Sequence, residues 1–89
     1  MVGQIVCTKA GRDKGYFMVA VDFEDGYVYV CDGKERPLAR PKRKNTKHVG
    51  FTNTVLEKNS YATDRALRRA LAAYRESVIK EEPKCLSQI

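Results

Sequence analysis

No stretch of this 89-residue chain approaches the ~20 consecutive apolar residues that a membrane-spanning helix needs. The N-terminus also lacks the basic-then-apolar order of a secretory signal, so a soluble cytoplasmic protein without membrane contact is expected. Cysteine is scarce and odd in number: Cys7, Cys31 and Cys85 form no CxxC pair, and His48 is the one histidine. That set supplies neither a zinc shell nor a disulfide framework, so no metal and no cofactor is expected. Cys7 and Cys31 lie in apolar runs and read as small hydrophobes, and Cys85, in a polar tail, reads as incidental. The recognisable catalytic motifs are missing too: there is no GxxxxGK[ST] loop, no paired-histidine box and no nucleophile elbow. His48 has no evident nucleophile or carboxylate partner for acid–base work, so the chain does not read as an enzyme. With 43% apolar residues, three prolines and six glycines, it can bury the core of one small domain.

What the chain does have is a concentrated charge. Its formal net charge is +6, and the segment Lys34 to His48 carries seven bases against one acid, an excess equal to that of the whole chain. So dense a run repels itself unless counterions or a polyanion neutralise it, and a polyanion gains entropy by releasing its own condensed ions. A phosphate backbone is the natural partner. The competing reading is a solvated segment that only confers solubility.

Periodicity outlines the elements. Ile5–Thr8 reads as a first strand ended by a turn through Lys9, Ala10 and Gly11, where glycine suits a positive φ. Tyr16 to Phe23 alternates, with Phe17, Val19, Val21 and Phe23 on one face. Asp25-Gly26 then turns the chain into Tyr27–Cys31, completing an antiparallel hairpin. Beyond a second turn at Asp32-Gly33, Leu38–Arg40 reads as a short edge strand hemmed by Pro37 and Pro41. Lys47–Phe51 reads as the last strand, with Val49 and Phe51 pointing the same way. Strands this short with tight turns imply a small barrel. Thr52–Thr54 and Asn59-Ser60 read as loops. From Thr63 to Lys80, Leu67, Leu71, Tyr74 and Val78 form one helical face, flanked by Ala66, Ala70 and Ala73, with Thr63-Asp64 as the N-terminal cap. The expected organisation is a barrel over residues 1–52, a linker and amphipathic helix over 53–82, and a mobile tail over 83–89.

Gly3-Gln4-Ile5-Val6, followed by Lys9-Ala10-Gly11-Arg12-Asp13-Lys14-Gly15 and an alternating strand, resembles the KOW motif of ribosomal proteins. The whole is similar to small bacterial KOW-domain RNA-binding proteins and to the N-terminal domain of a family of archaeal and eukaryotic large-subunit ribosomal proteins. The basic stretch Arg40 to His48 shares in the likeness. The resemblance implies an SH3-like β-barrel, RNA as partner and association with ribosomes and their proteins.

The residues expected on phosphate are therefore Lys9, Arg12 and Lys14 of the first turn and Lys34, Arg36, Arg40, Lys42, Arg43, Lys44 and Lys47 of the basic segment. Arginine can fork two hydrogen bonds onto one phosphate, and lysine acts as a point charge. Tyr16, Tyr27 and Tyr29 are candidates for stacking on unpaired bases, Tyr27 and Tyr29 lying opposite Val28 and Val30, although packing beneath the helix against Leu67, Leu71 and Tyr74 takes precedence. Arg65, Arg68 and Arg69 are secondary RNA candidates on a helix face that is otherwise simply solvated. The alternative function is an SH3-like protein-interaction module of a translation or transcription complex. Duplex DNA binding is less favoured, because the helix must bury its own apolar face.

Overall fold

The computed structural model describes residues 2–9 and 16–80, the last three by backbone alone. Five strands, β1 (Gln4–Thr8), β2 (Phe17–Glu24), β3 (Tyr27–Cys31), β4 (Lys42–Asn45) and β5 (Val49–Val55), precede one helix, α1 (Asp64–Lys80). The strands form a single sheet in the order β4-β3-β2-β1-β5, and all four pairings are antiparallel. No helix among the described residues is long and apolar enough to cross a membrane.

The sheet is strongly curled. Laid flat, its edge strands β4 and β5 would lie four spacings apart, about 19 Å. Asn45 and Val49 are joined by the single 3₁₀ turn Thr46–His48, a link that cannot exceed about 14 Å. Curling brings Val49 of β5 into one buried cluster with Val28 and Val30 of β3, together with Val6, Met18 and Ala20. That face is the concave one.

The closed barrel expected from the short strands is not what forms, because β4 and β5 do not pair. The backbone groups of the connecting turn are used elsewhere: the Thr46 N–H donates to the Gly26 carbonyl at 3.1 Å, and the Lys9 N–H donates to the His48 carbonyl at 2.8 Å.

The convex face carries a second cluster, in which Leu67 and Leu71 of α1 cover Ile5, Cys7, Phe17, Val19 and Cys31. Tyr74 extends this cover, its ring edge-on to Phe17 with centroids 5.0 Å apart. With core on both sides, Phe17 to Ala20 are buried without a break. A bulge between Ala20 and Asp22 then shifts the register, so Phe23 pairs with Val28 on the concave side. Phe23 thus leaves the face of Phe17 and Val19 that simple alternation assigns to it.

Two further expectations are corrected at the sheet edges. Leu38–Arg40 is a turn, with the Arg40 N–H donating to the Pro37 carbonyl at 2.8 Å, and the edge strand starts only after Pro41. Thr52–Thr54 belong to β5, which carries the sheet past residue 52, and Lys47 and His48 belong to the turn before it.

Helix α1 starts where the sequence places it. The Thr63 hydroxyl accepts the Ala66 N–H at 3.1 Å, an N-cap bond that satisfies one of the orphan donors of the first turn. Ala66 and Ala70 are half-buried beside the leucines, but Ala73 is exposed and does not reach the sheet. The Val78 side chain, Gly11 with its turn, and the tail over 83–89 lie outside the described residues.

Of the cysteines, Cys31 is a free, buried thiol, and burial pushes its pKa up to about 12. Cys7 is not the free thiol expected of it: it is disulfide-bonded.

Candidate nucleic-acid interface

The basic segment is no projecting loop, and its cations fall into three places. The first is β4 itself. Lys42 and Lys44 pair with Val30 and Val28 on the concave face, whereas Arg43 pairs with Tyr29 on the convex face. Lysine is well tolerated on an edge strand, because the long stem covers apolar surface and the charge remains in water. Lys42 and Lys44 are half-buried in this way, while Arg43 is exposed.

The second place is the 3₁₀ turn. The Asn45 side-chain carbonyl accepts the Lys47 N–H at 2.9 Å and caps the turn, which leaves Lys47 and His48 exposed. The backbone bond from Lys9 to the His48 carbonyl ties the end of β1 to this turn. Lys9 therefore joins Lys47 at one rim of the sheet. Arg12 and Lys14 follow Lys9 in the chain but lie outside the described residues.

Lys34, Arg36 and Arg40 occupy the third place, the connection from β3 to β4. One oxygen of the Asp32 carboxylate accepts the N–H groups of both Lys34 and Arg36 at 2.9 Å and folds the turn. The turn rests on the start of α1. The Leu38 N–H donates to the Asp64 carboxylate at 2.7 Å, and the Arg68 guanidinium donates to the Gly33 carbonyl at 2.8 Å. Between turn and helix is a cleft of about 100 Å³ lined by Asp32, Lys34, Arg68, Leu71 and Arg75.

The tyrosines are not beneath the helix. Its cover reaches Phe17, Val19 and Cys31 but stops short of Tyr27 and Tyr29, leaving Tyr27 37% exposed. The Arg43 guanidinium lies 4.6 Å from the Tyr27 ring centroid, a cation–π contact. Tyr29 donates its hydroxyl to Glu24 at 2.9 Å, and this hydrogen bond is the main cause of its raised pKa. Phe23 and Phe51, 37% and 43% exposed, stack on each other with centroids 6.2 Å apart.

No protein-family model matches the chain. It is 33% identical over 73 residues to the large ribosomal subunit protein eL14 of Pyrobaculum calidifontis, an alignment that takes in 81% of this chain and 71% of that relative. The chain belongs to the eL14 family.

In this eL14-family chain the structure brings Lys9 to Lys47 and sets β4 between that rim and the turn at Asp32. It keeps Arg65 and Arg69 on the solvent side of α1, exposed like Arg68 and Arg75. Arg75 lines the cleft with Arg68, a pairing that sequence reasoning did not single out. The available signal was its spacing from Arg68: seven residues on, with Leu71 between, it falls on the same flank of the helix at ~100° per residue.

Proposed function

We propose that the chain is a non-enzymatic RNA-binding protein of the ribosome, a KOW-type relative of the SH3-like barrels with an opened sheet, acting in the cytoplasm. It grips the phosphate backbone of ribosomal RNA through β4 and the turn that follows. The bond between the Lys9 N–H and the His48 carbonyl carries this reading, because it sets Lys9 against the end of the basic segment. Arg43 and Lys47 are the exposed anchors beside that rim, and Arg12 and Lys14, outside the described residues, are proposed as further phosphate contacts. The similarity to a large ribosomal subunit protein supports the choice of polyanion. Backbone shape would dominate base identity in such contacts.

The exposed Phe23–Phe51 stack favours a second reading, a protein-interaction surface for a neighbouring ribosomal protein. An electrophoretic shift with matched RNA and DNA separates the two, run on the wild-type chain and on a Lys42→Ala, Arg43→Ala, Lys44→Ala variant checked for an unchanged melting curve. The expected result is preferential retardation of RNA by the wild type and at least tenfold weaker binding by the variant. Equal retardation by both proteins contradicts the RNA reading and favours the protein partner.

A further inference from the structure

We propose that the cleft between the Asp32–Arg36 turn and α1 is a second phosphate site, taking one backbone phosphodiester of the RNA held along β4. The inference rests on the RNA-binding reading and deepens it by giving the helix a part in the interface.

Three cations, Lys34, Arg68 and Arg75, border one concavity with a single carboxylate, Asp32. One Asp32 oxygen already accepts two backbone N–H groups, so part of its acceptor capacity is committed to the turn. The local balance is positive, and gathering like charges around a hollow is unfavourable until an anion enters it. The cleft, at about 100 Å³, has room for several water molecules that an oxyanion would displace.

The cations are also held by the fold. Arg68 spends a guanidinium N–H on the Gly33 carbonyl, which fixes the fork in place and keeps further donors of the five for a ligand. The Lys34 backbone is fixed by Asp32. Arg75 stands two helical turns beyond Arg68 on the same flank, with buried Leu71 forming the floor between them. Arg65 and Arg69 do not line the cleft, being turned about 60° and 100° from Arg68 toward the solvent side of the helix. A strand of RNA that runs along β4 toward Lys42 passes the end of the sheet where β3 enters the Asp32 turn, since Lys42 pairs with Val30.

The test is a Lys34→Gln, Arg75→Gln variant, with Arg68 kept because it supports Gly33. An Arg65→Gln, Arg69→Gln variant removes the same charge from the helix outside the cleft. Affinity for a ribosomal RNA fragment is measured over a salt series, together with the thermal midpoint. The cleft variant should bind several-fold more weakly at low salt and show a log K against log salt slope shallower by about 1.4, roughly 0.7 for each lost contact. Its midpoint should not fall, because the like charges around the cleft are relieved, and the variant outside the cleft should keep the wild-type slope. If wild type binds and the cleft variant matches it in slope and affinity, or if both variants lose slope equally, the cleft is not a phosphate site. If the wild type itself does not bind RNA, the underlying functional reading fails and the cleft proposal falls with it.

Discussion

Replacing Gly33 with alanine is expected to destabilise the fold by about 3 kcal/mol or more in urea unfolding, with the loss felt first at the seat of the helix. Gly33 takes φ +79°, a left-handed conformation that costs an L-residue roughly 1–2 kcal/mol. Strain is only part of the effect. A Cβ at this position would overlap the Asp64 carbonyl oxygen and come within 3.2 Å of the Arg68 Cγ. Both neighbours belong to the first turns of α1, so the clash is relieved only by lifting the helix or the turn. Either movement strains the Arg68 bond to Gly33 and the Asp64 bond to Leu38. Gly26 provides the control: it has φ +77°, but an added Cβ there meets nothing within 4 Å. Gly26→Ala should therefore cost the conformational part alone, about 1–2 kcal/mol. Equal losses at the two glycines would contradict the close seating of α1 on the Asp32 turn.

Leu67→Ala should cost about 2–5 kcal/mol, the usual range for a buried leucine. Leu67 is 0% exposed and belongs to the cluster that joins α1 to β1, β2 and β3. A chain of this size has a total stability of roughly 4–13 kcal/mol, so the change removes a large share of it. Chemical denaturation measures the loss, and hydrogen exchange should show the α1 amides opening before those of β1 and β2. Arg65→Ala, exposed two residues earlier on the other side of the helix, should change stability by less than about 0.5 kcal/mol. A loss under about 1 kcal/mol at Leu67 would mean that the helix is not an integral cover of the sheet.

The elements that proved legible in the sequence are those governed by local chemistry. Asp25-Gly26 between two alternating runs specifies the β2–β3 hairpin. Thr63-Asp64 ahead of Leu67, Leu71 and Tyr74 specifies both the start and the buried face of α1. The misreadings arise where a tertiary partner decides. The bulge at Val21 adds one residue to β2, and one residue is enough to send Phe23 to the other face. Lys42–Asn45 carries no alternation of its own and becomes a strand because the edge of β3 offers it a ladder.

The cationic segment is legible from composition alone, but its geometry follows from the pairing of the strands. The β1–β5 ladder, continued by the Lys9 bond to His48, brings Lys9 to the turn that carries Lys47, while Lys34 and Arg36 lie toward the other end of β4. Sheet faces need cover, which in the sequence points Tyr27 and Tyr29 toward the helix, yet α1 rests on the Asp32 turn and reaches only as far as Cys31. In the sequence Arg75 reads only as one more arginine on the polar side of the helix, because its place in the cleft depends on Lys34, a residue on a different element.

The most direct measurement of the central claim is the affinity of the wild-type chain for a single-stranded ribosomal RNA fragment, followed by fluorescence anisotropy across a series of salt concentrations. If roughly six cations neutralise phosphates, log K falls linearly with log salt with a slope of about −4. A flat response would show that the cations of β4 and its adjoining turns do not hold RNA by its backbone.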